Sequence, residues 1–149
     1  MRVVHALYKK DDKVLLLYKE SRQKWFLPGG KSEFGENIIE TGCREFLEET
    51  GLRLENAVLG AVTTIVINEK QQEWMLYTIK GMKASGKQVQ ETREGKLQMH
   101  SIEAIDTLPM FEGDRFIIKE LLKNDFTMPV VSTQNYTPTY ELINLKIND

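Results

Sequence analysis

The sequence predicts a mixed α/β fold of the α+β kind, on three observations. Apolar, β-branched runs of strand length recur along the 149 residues, from Arg2–Tyr8 to Tyr140–Ile147. Helical spacing of apolar residues marks Ile38–Thr50 and Glu112–Lys123. The two kinds of element are interspersed without the regular alternation of a doubly wound sheet. A chain of this length is one domain's worth, residues 1–149, with one substantial core.

Taken in order, Arg2–Tyr8 and Val14–Tyr18 read as a hairpin around the polar turn Lys9-Lys10-Asp11-Asp12. Lys19–Lys24 is a polar, basic connection. Trp25–Gly30 reads as a short strand ended by a loop in which Gly29 and Gly30 supply backbone freedom. A helix then runs from Ile38 to Thr50, with Asn37 and Glu40 as a capping-box pair and Gly51 after its end. Ala61–Ile67 and Glu73–Ile79 form a second pair of strands around 69–72. Lys83–Lys96 is polar and contains a loop, Leu97–Ser101 is a strand, and Ile102 opens a helical turn. Glu112–Lys123 is the second helix. Phe126–Val131 and Tyr140–Ile147 are expected to pair around Ser132–Thr139.

Composition limits the function. With 41% hydrophobic and 28% charged residues, the chain has the balance of a soluble globular protein. A net charge of −2 gives no electrostatic reason for a nucleic-acid polymer as partner. Cys43 is the one cysteine and falls on the apolar helix face, so it reads as a core residue without disulfide or zinc chemistry. No signal-like or membrane-length apolar run is present, and the expected location is the cytoplasm. A monomer or homodimer is expected.

The chemistry concentrates in the first helix. Glu45, Glu48 and Glu49 are related by i+3 and i+4 spacing, so their carboxylates share one arc. Charge runs usually form a solvated face. Here Ile38, Ile39, Gly42, Cys43, Phe46, Leu47 and Thr50 fill the other half of the wheel. Glu49 lies on the rim of that half with Glu45 beside it, where desolvation costs free energy unless a partner is supplied. A hard divalent cation with oxygen ligands turns the mutual repulsion into attraction.

Gly30, Glu36, Arg44, Glu45, Phe46, Glu48, Glu49, Gly51 and Leu52 stand at unbroken spacing over 30–52, and this stretch resembles the Nudix box. The one mild departure is aromatic Phe46 where an aliphatic is commoner. The resemblance implies an α/β/α sandwich around a mixed sheet. It also implies cleavage of a diphosphate linkage with magnesium, or manganese in its place. Glu45, Glu48 and Glu49 would be ligands, with the Gly29 carbonyl a further one. Arg44 would orient a carboxylate of the box, and Glu36 would support the loop and helix start.

Over most of its length the chain is similar to the MutT-like and MutX-like diphosphatases of purine nucleoside triphosphates, ordinary or oxidised as 8-oxo-dGTP. The implied products are a monophosphate and pyrophosphate. Lys19 matches a lysine near the substrate, and Glu94 a loop glutamate that reaches the metal or attacking water. Phe111-Glu112-Gly113-Asp114 matches a segment in which an aromatic stacks on the base and an acid reads its edge. Trp25 and Phe26 are further candidates for the stacking face. Phe26 stands where several relatives of the oxidised-purine type carry asparagine, and Met99 and Phe111 replace their tryptophans.

Two other readings compete. One keeps the metal chemistry with a nucleotide sugar or dinucleoside polyphosphate; the other is a non-catalytic nucleotide sensor. No proline occurs between Leu52 and Lys80, and Ile67, Asn68 and Glu69 occupy the window where a tyrosine would suggest dinucleoside polyphosphates. An intact set of three glutamates speaks against a sensor.

Overall fold

The computed structural model describes residues 1–123 and 128–148. The chain opens with β1 (Arg2–Lys10) and β2 (Lys13–Lys19), an antiparallel hairpin that turns at Asp11, φ 54°. Two short strands follow, β3 (Lys24–Phe26) on β2 and β4 (Gly29–Lys31) on β1. Helix α1 (Ile38–Thr50) leads into β5 (Leu52–Glu55), β6 (Val58–Ile67) and β7 (Gln72–Gly81). Then come β8 (Lys83–Gly86), β9 (Glu91–Thr92), β10 (Gly95–Ser101), α2 (Glu112–Lys123), β11 (Val130–Tyr136) and β12 (Leu142–Asn148). The main sheet runs β12-β11-β6-β7-β1-β2-β10-β9, and β5 and β8 form a separate antiparallel pair. The pairs β1–β7 and β6–β11 are parallel and the others antiparallel, so the sheet is mixed.

Alternation along the central strands distributes the core over the two faces of the sheet. Val4, Ala6 and Tyr8 of β1 and Leu15 and Leu17 of β2 pack with Phe46 of α1, and Cys43 packs against that cluster. Leu7, Val14 and Leu16 pack with Ile117, Ile118 and Leu121 of α2. The helices therefore cover opposite faces, which is the layering the sequence implied. Phe46 is fully buried, and truncating such a residue typically costs about 3–5 kcal/mol.

Helix α1 has the expected ends. Asn37 Oδ1 accepts from Glu40 N–H at 2.8 Å, and Glu40 Oε1 accepts from Asn37 N–H at 2.9 Å. Gly51 adopts φ 80°, the left-handed cap that an L side chain disfavours.

Two expectations are corrected and one is refined. Gly29 and Gly30 lie in β4, and neither has a positive φ. Close approach requires them instead: a Cβ at Gly29 would stand 2.2 Å from the Val4 carbonyl oxygen. The stretch 83–96 contains the expected loop at 87–90, and the residues beside it form two short strands, β8 on β5 and β9 on β10. The C-terminal hairpin exists in a shifted position: β11 runs through Ser132–Tyr136, the segment expected to connect, and β12 starts at Leu142. Inward-facing Ser132, Gln134 and Tyr136 alternate with more exposed positions, so this strand buries polar residues whose pattern reads as a connection. Residues 126–127 of the expected strand Phe126–Val131 lie outside the described residues. Among the described residues no helix is long and apolar enough to cross a membrane.

Candidate active site

Strand β4 and helix α1 meet along the two glycines. Gly29 N–H donates to Glu49 Oε2 at 3.1 Å. At Gly30 the missing side chain makes room for Glu45, whose carboxyl carbon would be 2.4 Å from a Cβ there. Arg44 gathers the remaining acids. Its Nε donates to Glu36 Oε2 at 2.7 Å, and its Nη1 to Glu45 Oε1 at 2.9 Å and Glu48 Oε2 at 3.3 Å. Its Nη2 also reaches the Lys31 carbonyl at 3.1 Å. This guanidinium, together with the Glu33 N–H and the Thr41 hydroxyl, pulls the Glu36 carboxyl down to about 2. Arg44 itself is held in its charged form by the same partners.

Glu49 differs from its neighbours. It is buried, 6% exposed, and its carboxylate meets that of Glu94 from the turn before β10. Burial, then a hydrogen bond with the Glu94 carboxyl and the Glu94 charge, raise its pKa, against the opposing pull of the Gly29 N–H and Lys19. The pairing of Lys96 with Tyr18 brings Glu94 to the end of β2, where Lys19, Glu20, Ser21, Arg93 and Glu94 line one cleft. As the side chains stand, no three carboxylate or imidazole groups among the described residues converge at metal-binding distance. The physical reason is Arg44, which draws Glu45 and Glu48 to itself while Glu49 turns to Gly29 and Glu94.

On the α2 face lies a second feature, a pocket of about 160 Å³ bounded by Val3, His5, Trp74, Phe111, Asp114 and Tyr140, among others. Cavities of roughly 150 Å³ accept a single aromatic ring such as benzene. Phe111 precedes α2, and Asp114 belongs to its first turn. Asp114 is half-buried and lines the pocket, and burial pushes its carboxyl up to about 6. His5, on β1 opposite Gly29, is likewise half-buried against the pocket, and burial followed by the Lys19 charge lowers it to about 4. Behind them Gln134 Nε2 donates to the Gly113 carbonyl at 3.1 Å, and Tyr136 Oη donates to Gln134 Oε1 at 2.5 Å.

The residues expected from sequence are gathered unevenly. Glu45, Glu48, Glu49, Glu94, Gly29 and Arg44 form one cluster. Phe111 and Asp114 line the pocket, and Phe26 stands against Phe111 with ring centroids 5.8 Å apart. Lys19 extends over the Phe26 ring at 4.8 Å. Trp25 is the exception. It packs edge-on against Tyr18 and His100, at 5.1 and 4.3 Å, and joins the α2-side core instead of the pocket. Its neighbour in β3 points the other way, as strand alternation requires. His5, Trp74, Tyr136 and Tyr140 were not anticipated. For His5 a signal existed: it is the lone polar residue in the apolar run Val3–Leu7.

A model of the NUDIX domain matches residues 1–121. The chain belongs to the Nudix family. A Nudix hydrolase of Bacillus subtilis, YvcI, described as uncharacterized, is 38% identical over 99% of this chain and 94% of its own length. The crystal structure of a MutT protein from Bacillus halodurans aligns with a TM-score of 0.92 at 37% identity, covering 99% of this chain and 97% of that one. The mouse 8-oxo-dGDP phosphatase NUDT18 is 33% identical over 50% of this chain and 23% of its own length. The protein is thus a MutT-like Nudix hydrolase with the mixed fold of that family. Nudix hydrolases generally use divalent metal ions and act on small nucleotide substrates.

Proposed function

We propose that this Nudix hydrolase cleaves a purine nucleoside triphosphate, ordinary or oxidised, into the monophosphate and pyrophosphate. The observation that carries this reading is Lys19, which lines one cleft with Glu94 and extends 4.8 Å over the ring of Phe26, itself packed against Phe111 of the pocket. It stands between a carboxylate cluster and an aromatic pocket. A nucleotide presents the matching chemistries in that order: cation-bound phosphates, anionic oxygens and a flat heterocycle.

In the pocket the rings offer stacking surface, and two polar groups address the base edge. Asp114 accepts from ring or exocyclic N–H groups, or donates when protonated. Neutral His5 offers one donor and one acceptor.

The donor set of the cluster fits a hard divalent cation. Glu45, Glu48, Glu49 and Glu94, with the Gly29 carbonyl, present only oxygen, and a cation can take the place of the proton that Glu49 and Glu94 share. Magnesium is the ion we assign, with manganese as a substitute. When bound, it neutralises phosphate oxygens and makes water a better nucleophile. Arg44 and the Gly29 N–H orient the ligands, Lys19 binds a phosphate oxygen, and Glu94 positions the attacking water.

The test is release of pyrophosphate and of phosphate, with magnesium, from GTP, dGTP, 8-oxo-dGTP, ATP, dCTP, 8-oxo-dGDP, a dinucleoside tetraphosphate and a nucleotide sugar. The diphosphate is included because a similar protein, NUDT18, bears that activity in its name. Pyrophosphate from the purine triphosphates at the highest specificity constants is expected. Preference for any other class overturns the substrate, and no turnover at all leaves a nucleotide sensor. Asp114→Ala should flatten discrimination among the bases while hydrolysis persists.

A further inference from the structure

Part of the pocket is built from a segment beyond residue 121, where the family match ends. Tyr136 and Tyr140 line it, and both belong to the C-terminal hairpin. That hairpin is integral to the sheet, because β11 pairs in parallel with β6 from Val130 to Asn135.

Tyr140 is held there at a conformational cost. Its φ is 65°, in the left-handed region that bulky L residues avoid. The turn around it is closely tied. Tyr140 N–H donates to the Thr137 carbonyl at 2.9 Å, and Thr137 N–H to the Glu141 carbonyl at 2.9 Å. Glu141 N–H donates to Thr137 Oγ1 at 3.0 Å. Glycine or asparagine would serve that backbone without strain. What the tyrosine adds is its ring, with centroids 5.9 Å from Trp74, 6.2 Å from Tyr136 and 6.3 Å from Phe111. The ring is half-buried and borders the cavity directly. The Arg22 guanidinium, from the β2–β3 connection, lies 5.9 Å above it.

We propose that Tyr140 is a specificity-determining residue that touches the substrate, its ring forming the wall against which the base stacks. The hairpin outside the family-wide segment then decides which base is retained. This rests on reading the aromatic pocket as the base site.

Tyr140→Gly suits the left-handed turn and removes the ring, and Tyr140→Asn does the same should the glycine variant not fold. With dGTP as the probe, KM should rise roughly 5- to 150-fold, the range for losing one base–aromatic stack, while kcat stays within about twofold. The ratio of specificity constants for dGTP and dCTP should shrink, and Tyr140→Phe should match the wild type. An unchanged KM and base ratio in the folded glycine or asparagine variant overturns the proposal. Asp114→Ala separates the two failures. If it alters base discrimination and Tyr140→Gly does not, the role of Tyr140 fails alone; if neither does, the base-site reading fails with it.

Discussion

Gly30 faces the Glu45 carboxylate so closely that a Cβ there would lie 2.5 Å from Oε1 and 2.6 Å from Oε2. Gly30→Ala must therefore displace Glu45 from its 2.9 Å contact with Arg44. Misplacements of about 1 Å can cost roughly a hundredfold in rate. A fall in kcat of that order is expected, with little change in the far-ultraviolet circular dichroism. Wild-type kcat in Gly30→Ala would mean that activity does not depend on where Glu45 stands.

Arg44 bonds three carboxylates and a carbonyl through a planar fork that one ammonium cannot span. Arg44→Lys should lower both kcat and Tm. The Tm loss should depend on pH in a definite sense. Glu36 has its pKa depressed from 4.5 to about 2, so its stabilising contribution is complete above about 4.5 and disappears as pH falls toward 2. Melting curves of both proteins between pH 2 and 7 should converge at the acid end. A constant gap would show that the Arg44–Glu36 contact is not its source.

Glu94 meets Glu49 from a polar turn that contributes nothing to the core. Glu94→Gln is expected to reduce kcat by a hundredfold or more and to change KM only a few-fold, the pattern of a group acting in the transition state. Equal turnover in the two proteins would leave it an ordinary surface glutamate.

Asp114 works in the opposite pH sense to Glu36. Burial raises it from 3.8 to about 6, so the folded protein holds a proton there that the unfolded chain releases. The wild type therefore loses stability as pH rises from about 4 to 6, and Asp114→Asn does not. In nucleotide-free melts the Tm of the variant relative to the wild type should climb across that window and then level off. His5 titrates nearby but is common to both proteins and cancels in the difference. A flat Tm difference from pH 4 to 7 would mean that Asp114 is hydrated in the pocket.

Local signals carried the carboxylate cluster. Helix α1 was legible because Asn37, Glu40 and Gly51 cap it and its apolar residues keep a helical period. Arg44, Glu45, Glu48 and Glu49 followed from its register. The pocket was harder, since its walls come from β1, β6, β7, the start of α2 and the C-terminal hairpin. Phe111 and Asp114 could be placed by a contiguous motif. His5 and Trp74 acquire meaning only through strand pairing, as when parallel β1–β7 register sets Leu76 opposite Val3. Trp25 and Phe26 show the limit of adjacency: neighbours in one short strand, they serve a core and a pocket rim respectively. The C-terminal strand was misplaced because Ser132, Gln134 and Tyr136 bury hydroxyl and amide groups, which hydrophobic patterning does not register.

The pocket's long sequence span has a consequence for how the protein emerges from a ribosome. Every carboxylate of the cluster lies between Glu45 and Glu94, so all of them have left the ribosome before the C-terminal hairpin is made. The pocket reaches from Val3 to Tyr140 and cannot close until nearly all of it is out. A chain stopped after α2 would carry the acidic machinery without the β11–β12 wall beside it. Synthesis thus delivers the carboxylate cluster early and the complete pocket last.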